Sequence, residues 1–296
     1  MIKITFLGTS GSAPTKKRGL PSMALEYGGH LYLFDCGEGT QRQMLLYNIN
    51  SSNLKAIFVS HTHGDHIIGI AGLVRTLALN RRTLPLHIFV PKGNEDAIKA
   101  LIGFDNAYMS YEIIINGVVN GVAYQERDFS VEAFKLNHSI TSYGYVFREK
   151  DKIHFIKDKA AKLGIKGTMF RDLLKRKRLK VGNAMIKLSD LTTKEPGKKI
   201  VYVADTRPIL DTVKKARGAD LLIHEATYSS ELAELAMERM HSTTTESASI
   251  AKRAGVKMLL MFHISARYKT DKKLLLEAKE IFNNSEVAKD GMEILL

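Results

Sequence analysis

Polar and apolar residues alternate over residues 2–7 (Ile-Lys-Ile-Thr-Phe-Leu), the period-two pattern of a half-buried strand. Short apolar runs at 31–34, 56–59, 86–90, 113–115, 200–204, 221–223 and 258–262 predict further strands. Helical spacing follows several of them, over 67–79, 231–240, 244–254 and 274–282. Thr243 and Glu246 have capping-box spacing, and Gly255 stands where a helix can end in a left-handed turn. The whole reads as α/β. No fixed-period repeat and no Gly/Ser linker interrupts it, so the simplest organisation is one domain over 1–296.

Composition changes this picture at one place. At 45% hydrophobic and 25% charged the chain is globular and long enough to bury a core. No run approaches the roughly 18–20 apolar residues of a membrane helix, so no membrane partner is expected. The alternating N-terminal strand occupies the place of a signal peptide's apolar run, and Cys36 is the single cysteine. Both features fit a reducing, cytoplasmic setting and exclude a disulfide framework or a cysteine-rich zinc finger. The formal charge of +13 is uneven: residues 150–180 hold 12 Lys or Arg against 3 Asp. That block also carries Phe155, Ile156, Leu163, Ile165, Met169, Phe170, Leu173 and Leu174. It reads as a partly structured arm over about 150–184, suited to a polyanion, although a charge block is often only a solvated face.

The densest chemistry is His61-Thr62-His63-Gly64-Asp65-His66, on a loop expected to leave the strand at 56–59. Three imidazoles and a carboxylate in six residues are costly to bury without a cation, and these donors suit zinc and related divalent ions. Six residues cannot close two metal shells, so further ligands are sought behind distant apolar stretches: His138, Asp205 and His263. Taken singly, a His after a strand is more often a core or turn residue, and Asp205 alone could be a helix cap. Two ions about 3.5–4 Å apart would lower the pKa of a shared water and stabilise an in-line displacement.

HTHGDH with the distant His, Asp and His resembles the metallo-β-lactamase superfamily, which implies an αβ/βα sandwich with metals at one edge of its sheets. Further motifs narrow the resemblance to ribonuclease Z, the tRNA 3′-processing endonucleases in their short form. They are Phe34-Asp35-Cys36-Gly37-Glu38-Gly39-Thr40-Gln41, His224-Glu225-Ala226-Thr227, His241-Ser242-Thr243 and His263-Ile264-Ser265-Ala266-Arg267-Tyr268. The likeness implies two zinc ions per subunit. His61, His63 and His138 would hold one, Asp65, His66 and His263 the other, with Asp205 bridging. It also implies Asp65 as general base, and His241, assisted by Glu225, as proton donor to the leaving oxygen. Expelling an alkoxide needs such a proton, and a carboxylate-oriented histidine suits the task.

The same resemblance implies precursor tRNA as substrate, a 3′-hydroxyl product, a homodimer, and an arm that grips the tRNA body. Arg267 is open to two readings, a phosphate contact or a structural salt bridge. Pro14-Thr15-Lys16-Lys17-Arg18-Gly19 is similar to the family's Pro-x-Lys-x-Arg-Asn loop, with Gly19 in place of Asn. Lys16 and Arg18 are the expected tRNA contacts there. The arm departs further: where relatives carry a Gly-Pro-rich stretch, this chain has none, and Lys175-Arg176-Lys177-Arg178 would bind through charge. Two rival readings stand beside this one. A small-ester or phosphodiester hydrolase on the same fold would leave the basic arm without purpose. A non-catalytic RNA-binding protein would need closed metal sites.

Overall fold

The computed structural model describes residues 1–103, 109–182 and 184–296; position 183 of the expected arm lies outside them. Among the described residues the chain forms two compact units, 1–148 with 199–296, and 149–198.

The larger unit holds two seven-stranded sheets. The first runs, in spatial order, Glu293–Leu295, Ile2–Gly8, Ser22–Tyr27, His30–Phe34, Leu54–Phe58, Leu86–Pro91 and Ile113–Val118. The second runs Ser285–Val287, Leu259–Phe262, Leu221–Glu225, Lys199–Val203, Tyr143–Glu149, Phe129–Lys135 and Gly121–Gln125. Every strand expected from the apolar runs lies in one of these sheets. The expectation omitted Ser22–Tyr27, Gly121–Gln125, Phe129–Lys135 and Tyr143–Glu149, whose polar positions dilute the apolar signal, and Ser285–Val287 and Glu293–Leu295, which are only three residues each.

Aromatic residues from both sheets fill the shared core. Phe58 stacks on Phe34 and Phe89 with centroids 5.1 and 5.0 Å apart, and Tyr145 and Tyr202 pack against Phe34. Both tyrosine hydroxyls bond across to the first sheet, Tyr145 to the Val59 carbonyl (2.7 Å) and Tyr202 to Asp35 Oδ2 (2.8 Å). A buried hydroxyl needs such a partner. Helices cover the outer faces, giving the αβ/βα sandwich. Gly69–Leu79 packs the first sheet through Ile70, Leu73, Val74 and Leu77, and Thr244–Ala254 packs the second through Ala248, Ile250 and Ala251. The capping box of Thr243 and Glu246 is formed, and Gly255 ends that helix at φ 60°.

The unit 149–198 has its own small core of Ala160, Ile165, Leu173, Ile186, Leu188 and Leu191. It extends beyond 184 because Thr192–Glu195 pairs with Lys152–Phe155. The helix Met169–Arg176 buries Leu173, while Lys175, Arg176, Lys177 and Arg178 are exposed.

Candidate metal centre and acid dyad

Parallel neighbours bring their carboxyl ends to one edge, where open α/β sheets gather ligands. Asp35 directly follows His30–Phe34, and Ser60 and His61 follow Leu54–Phe58 after Val59. Asp205 follows Lys199–Val203 after Ala204, Glu225 ends its strand, and His263 directly follows Leu259–Phe262. His138 comes from the turn between Phe129–Lys135 and Tyr143–Glu149. The His-rich run is not wholly a loop. Gly64–Ile67 forms a helical turn, with the Ile68 amide bonded to the Gly64 carbonyl, so Asp65 and His66 are helical while His61 and His63 precede the turn. Glycine permits the close approach beneath it: a Cβ on Gly37 would meet the Asp65 carbonyl at 2.4 Å.

Two groups of donors result. His61, His63, His138 and Asp205 form one, and Asp65, His66 and His263 the other, with the donor atoms of each within 4.8 Å of one another. Asp205 faces both. Its Oδ2 lies 3.6 Å from His61 Nε2 and 3.8 Å from His138 Nε2, and its Oδ1 lies 3.4 Å from His66 Nε2 and 3.1 Å from His263 Nε2. Asp65 Oδ2 lies 3.7 and 3.5 Å from the same two Nε2 atoms, and accepts a hydrogen bond from the Ser12 amide at 2.8 Å.

Hydrogen bonds behind the imidazoles decide which nitrogen faces inward. His66 Nδ1–H donates to Asp35 (2.8 Å), His61 to Ser60 (3.0 Å), His138 to the Met240 carbonyl (3.0 Å) and His263 to Thr227 (2.9 Å). Each Nε2 therefore presents a lone pair to the carboxylates, the arrangement metal-ligating histidines adopt. His63 uses the other nitrogen: its Nδ1 lies 3.0 Å from His61 Nε2 and 3.3 Å from His138 Nε2. His66 Nε2, His263 Nε2 and Asp205 Oδ1 are buried without any hydrogen-bond partner. Lone pairs facing a buried carboxylate oxygen are mutually repulsive unless a cation sits among them. The donor set fits divalent metal ions that favour nitrogen and oxygen.

Electrostatics agree. Burial holds the imidazoles of His61, His63 and His138 below the ordinary range, which keeps them neutral. At His66 the balance is reversed: burial acts to lower it, but Asp205 and Asp35 outweigh burial and raise it, so without a metal ion a proton is the cation these carboxylates draw to the ring. Burial would raise Asp205, yet His263, His66 and His61 hold its carboxyl well below the usual range. Asp65 is likewise held down, by His263 and His66 against its burial. The two carboxylates are anions that demand positive charge.

Beside this cage lies a second constellation. Glu225 Oε1 accepts hydrogens from His241 Nδ1, the Thr206 amide and the Ser242 amide, each at 3.0 Å. Its Oε2 accepts from the Thr227 amide (3.1 Å) and the Thr227 hydroxyl (2.7 Å). Burial acts to lower the His241 imidazole, but the adjacent Glu225 charge and hydrogen bond dominate and push it up to about 9. Although Asp205, His241 and His263 also cluster within 4.8 Å, His241 Nδ1 is committed to Glu225, which leaves Nε2 for chemistry. Arg207 bonds the His241 carbonyl and Glu246, fixing the start of the following helix. His63, Asp65, His138, Asp205, His241 and Arg267 all line one open cavity of about 340 Å³.

The remaining expected contacts fare differently. Arg267 makes no ion pair among the described residues; its guanidinium lies 5.0 Å over the Tyr228 ring and donates to Ser265 Oγ at 3.1 Å. Lys16 is exposed and lines a cavity of about 740 Å³ with Lys17, Lys269 and Lys289. Arg18, by contrast, is largely buried and bonded to Thr9, the Ala288 carbonyl and Asp271. It nonetheless lines the same cavity as Lys16. Asp35, Ser60, Thr227 and Tyr202 escaped the sequence reading. The first and third stand inside quoted motifs, but nothing in the sequence says that Asp35 holds His66 or that Thr227 touches His263.

The Anti-Pycsar protein Apyc1 family model matches residues 2–174, and the Beta-lactamase superfamily domain matches 159–264. The first ends before Asp205, Glu225, His241 and His263. Full-length relatives span all of them. Ribonuclease Z of Archaeoglobus fulgidus is 40% identical over 99% of this chain and 97% of its own length. Ribonuclease Z of Methanothermobacter thermautotrophicus is 38% identical over 99% and 96%. Among solved structures, human tRNase Z, short form, superposes with a TM-score of 0.74 at 26% identity, covering 99% of this chain and 98% of that one.

Proposed function

The chain belongs to the ribonuclease Z family, and from that premise we propose how its residues perform tRNA 3′ processing. It is a metal-dependent endoribonuclease that removes the 3′ trailer from precursor tRNA by phosphodiester hydrolysis, leaving a tRNA 3′-hydroxyl. The observation that carries the reading is one cavity bordered both by the His and Asp donor cage, through His63, Asp65, His138 and Asp205, and by His241, whose Nδ1–H is held by the Glu225 carboxylate. Two zinc ions per subunit are the occupants we assign, one to His61, His63 and His138, the other to Asp65, His66 and His263, with Asp205 between. When bound there, such ions lower the pKa of a water and draw charge from the scissile phosphate.

The chain's own groups do the rest. Asp65 stays ionised, is tethered by the Ser12 amide and borders the cavity, where it accepts a hydrogen from the attacking water. His241, kept protonated by Glu225, gives its Nε2 proton to the departing 3′ oxygen of the tRNA. Arg267, held over the Tyr228 ring and by Ser265 and without an ion pair among the described residues, contacts a phosphate oxygen. Lys16 and the exposed run Lys175, Arg176, Lys177 and Arg178 hold the tRNA by charge, in a cytoplasmic homodimer as in the family. Arg18 supports the Lys16 loop from within.

The deciding experiment incubates the protein with a precursor tRNA carrying a 3′ trailer and maps the cut. A single cut releasing the trailer, lost to a chelator and restored by zinc, supports the reading. An intact precursor alongside rapid hydrolysis of small esters would assign a different substrate class to the same fold. Tight tRNA binding without cleavage at any metal concentration would make the chain a binding protein.

A further inference from the structure

Glu225 and His263 belong to different parts of the chemistry, the first to the proton donor and the second to the metal cage. One side chain touches both. The Thr227 hydroxyl is 2.7 Å from Glu225 Oε2 and 2.9 Å from His263 Nδ1, and the residue is 2% exposed. A hydroxyl has one hydrogen. Glu225 already accepts hydrogens from two other amides and His241 on Oε1, so it is an anion that can only accept. The hydroxyl hydrogen must therefore go to Glu225, because two facing lone pairs at 2.7 Å would repel. The oxygen of Thr227 is left to accept from His263 Nδ1–H. His241 Nδ1 is 3.3 Å from the same hydroxyl, but its hydrogen goes to Glu225 Oε1 at 3.0 Å.

We infer that Thr227 is a positioning residue that ties the metal cage to the acid dyad. The chain of bonds runs His263 Nδ1–H to Thr227 Oγ, then Thr227 O–H to Glu225. It fixes His263 in the tautomer whose Nε2 lone pair faces Asp205 and Asp65. Glu225 thus orients two histidines at once, one directly and one through Thr227. The backbone holds the relay in register: the Ala226 amide bonds the Phe262 carbonyl at 3.0 Å, and the Ser265 amide bonds the Thr227 carbonyl at 3.2 Å. His263 itself sits at φ 58°, a conformation its surroundings must impose. The same motif recurs across the site, where Ser60 accepts from His61 Nδ1 and donates to Asp35. Carboxylate–hydroxyl–imidazole relays therefore stand behind a ligand of each metal group.

This inference deepens the proposed reading and rests on it. Its test uses the whole protein and reads zinc binding before activity. Zinc affinity is measured by chelator competition for wild type, Thr227→Val and Thr227→Ser, each first checked for native circular dichroism and melting without metal. Thr227→Val keeps the side-chain shape and removes the relay, so zinc affinity should fall about 10- to 100-fold, the usual effect of losing a partner behind a ligand. Thr227→Ser retains the hydroxyl and should stay within about threefold of wild type. Trailer cleavage at saturating zinc should remain lowered in the valine variant, because Glu225 also loses a hydrogen bond. A folded Thr227→Val with wild-type zinc affinity overturns the relay, as does a serine variant as impaired as the valine one. If Thr227→Val does not fold, Thr227→Ala, which also lacks the hydroxyl, takes its place in the same comparison with Thr227→Ser. Failure of the wild type to bind zinc would instead overturn the metal reading itself.

Discussion

At the sheet edge, Glu225 takes five hydrogen bonds on one carboxylate, and Asp35 accepts from the Ser60 amide, the Ser60 hydroxyl, His66 and Tyr202. In the unit 149–198, Lys175, Arg176, Lys177 and Arg178 stand in solvent without an ion pair among the described residues. Both regions are polar, but they manage charge in opposite ways. Buried charge must be surrounded by fixed partners, and those partners fix geometry. Exposed charge is hydrated and mobile, and its use is long-range attraction that salt weakens. The contrast teaches that buried charge can select by position, whereas exposed charge can attract a polyanion only by number.

Breaking the fixed side should have the largest effects. Asp205→Ala removes the carboxylate that faces both donor groups and should lower kcat by about 10³-fold or more, since cation stabilisation of developing charge is worth several kcal/mol. Filter binding of precursor tRNA should change little; a parallel collapse of binding would mean that the cage also builds the tRNA surface. His241→Ala should slow cleavage by about 10²- to 10⁴-fold, the range for loss of a proton donor. The partner variant Glu225→Gln sharpens the same point through pH. Glu225 raises the His241 imidazole, so the donor stays protonated until pH climbs through that raised value. Without the carboxylate charge the alkaline fall in kcat should begin at lower pH, and an unmoved profile would detach His241 from proton donation.

Neutralising Lys175, Arg176, Lys177 and Arg178 together addresses the mobile side. KM for precursor tRNA should rise about tenfold and the slope of log affinity against log salt should shrink by about 3, while turnover of a small phosphodiester stays unchanged. Equal losses on both substrates would erase the distinction between the regions. The smallest effect is expected from Tyr202→Phe. Asp35 would keep three of its four hydrogen bonds, so stability in a denaturant titration should drop by only about 1 kcal/mol.

How much of this was readable in advance depended on how locally each feature is encoded. HTHGDH announces itself because its residues are contiguous and their charge has no other economical explanation. The strands behind it are equally plain, because apolar runs in a buried parallel sheet are continuous. The helix 244–254 was legible to the residue, since both its cap and its stop are local signals. The turn at Gly64–Ile67 was not, because four residues are too few to show a period. His138, Asp205 and His263 became ligand candidates only by their places after apolar stretches. Glu225 and His241 needed a family resemblance, being 16 residues apart with ordinary neighbours.

The sequence by itself determined most of the elements, the donor types, the concentration of positive charge and the single cysteine. Tertiary structure alone decided which nitrogen each histidine turns inward, because the partners of those rings lie at Asp35, Met240 and Thr227, far along the chain. It also decided that Arg18 is paired with Asp271 while Lys16 is exposed, and that Asp35 and His263 adopt left-handed backbone. The physical reason is range. Periodicity, capping and composition act over a few residues, whereas burial, desolvation and the direction of a hydrogen bond depend on whatever the fold brings alongside.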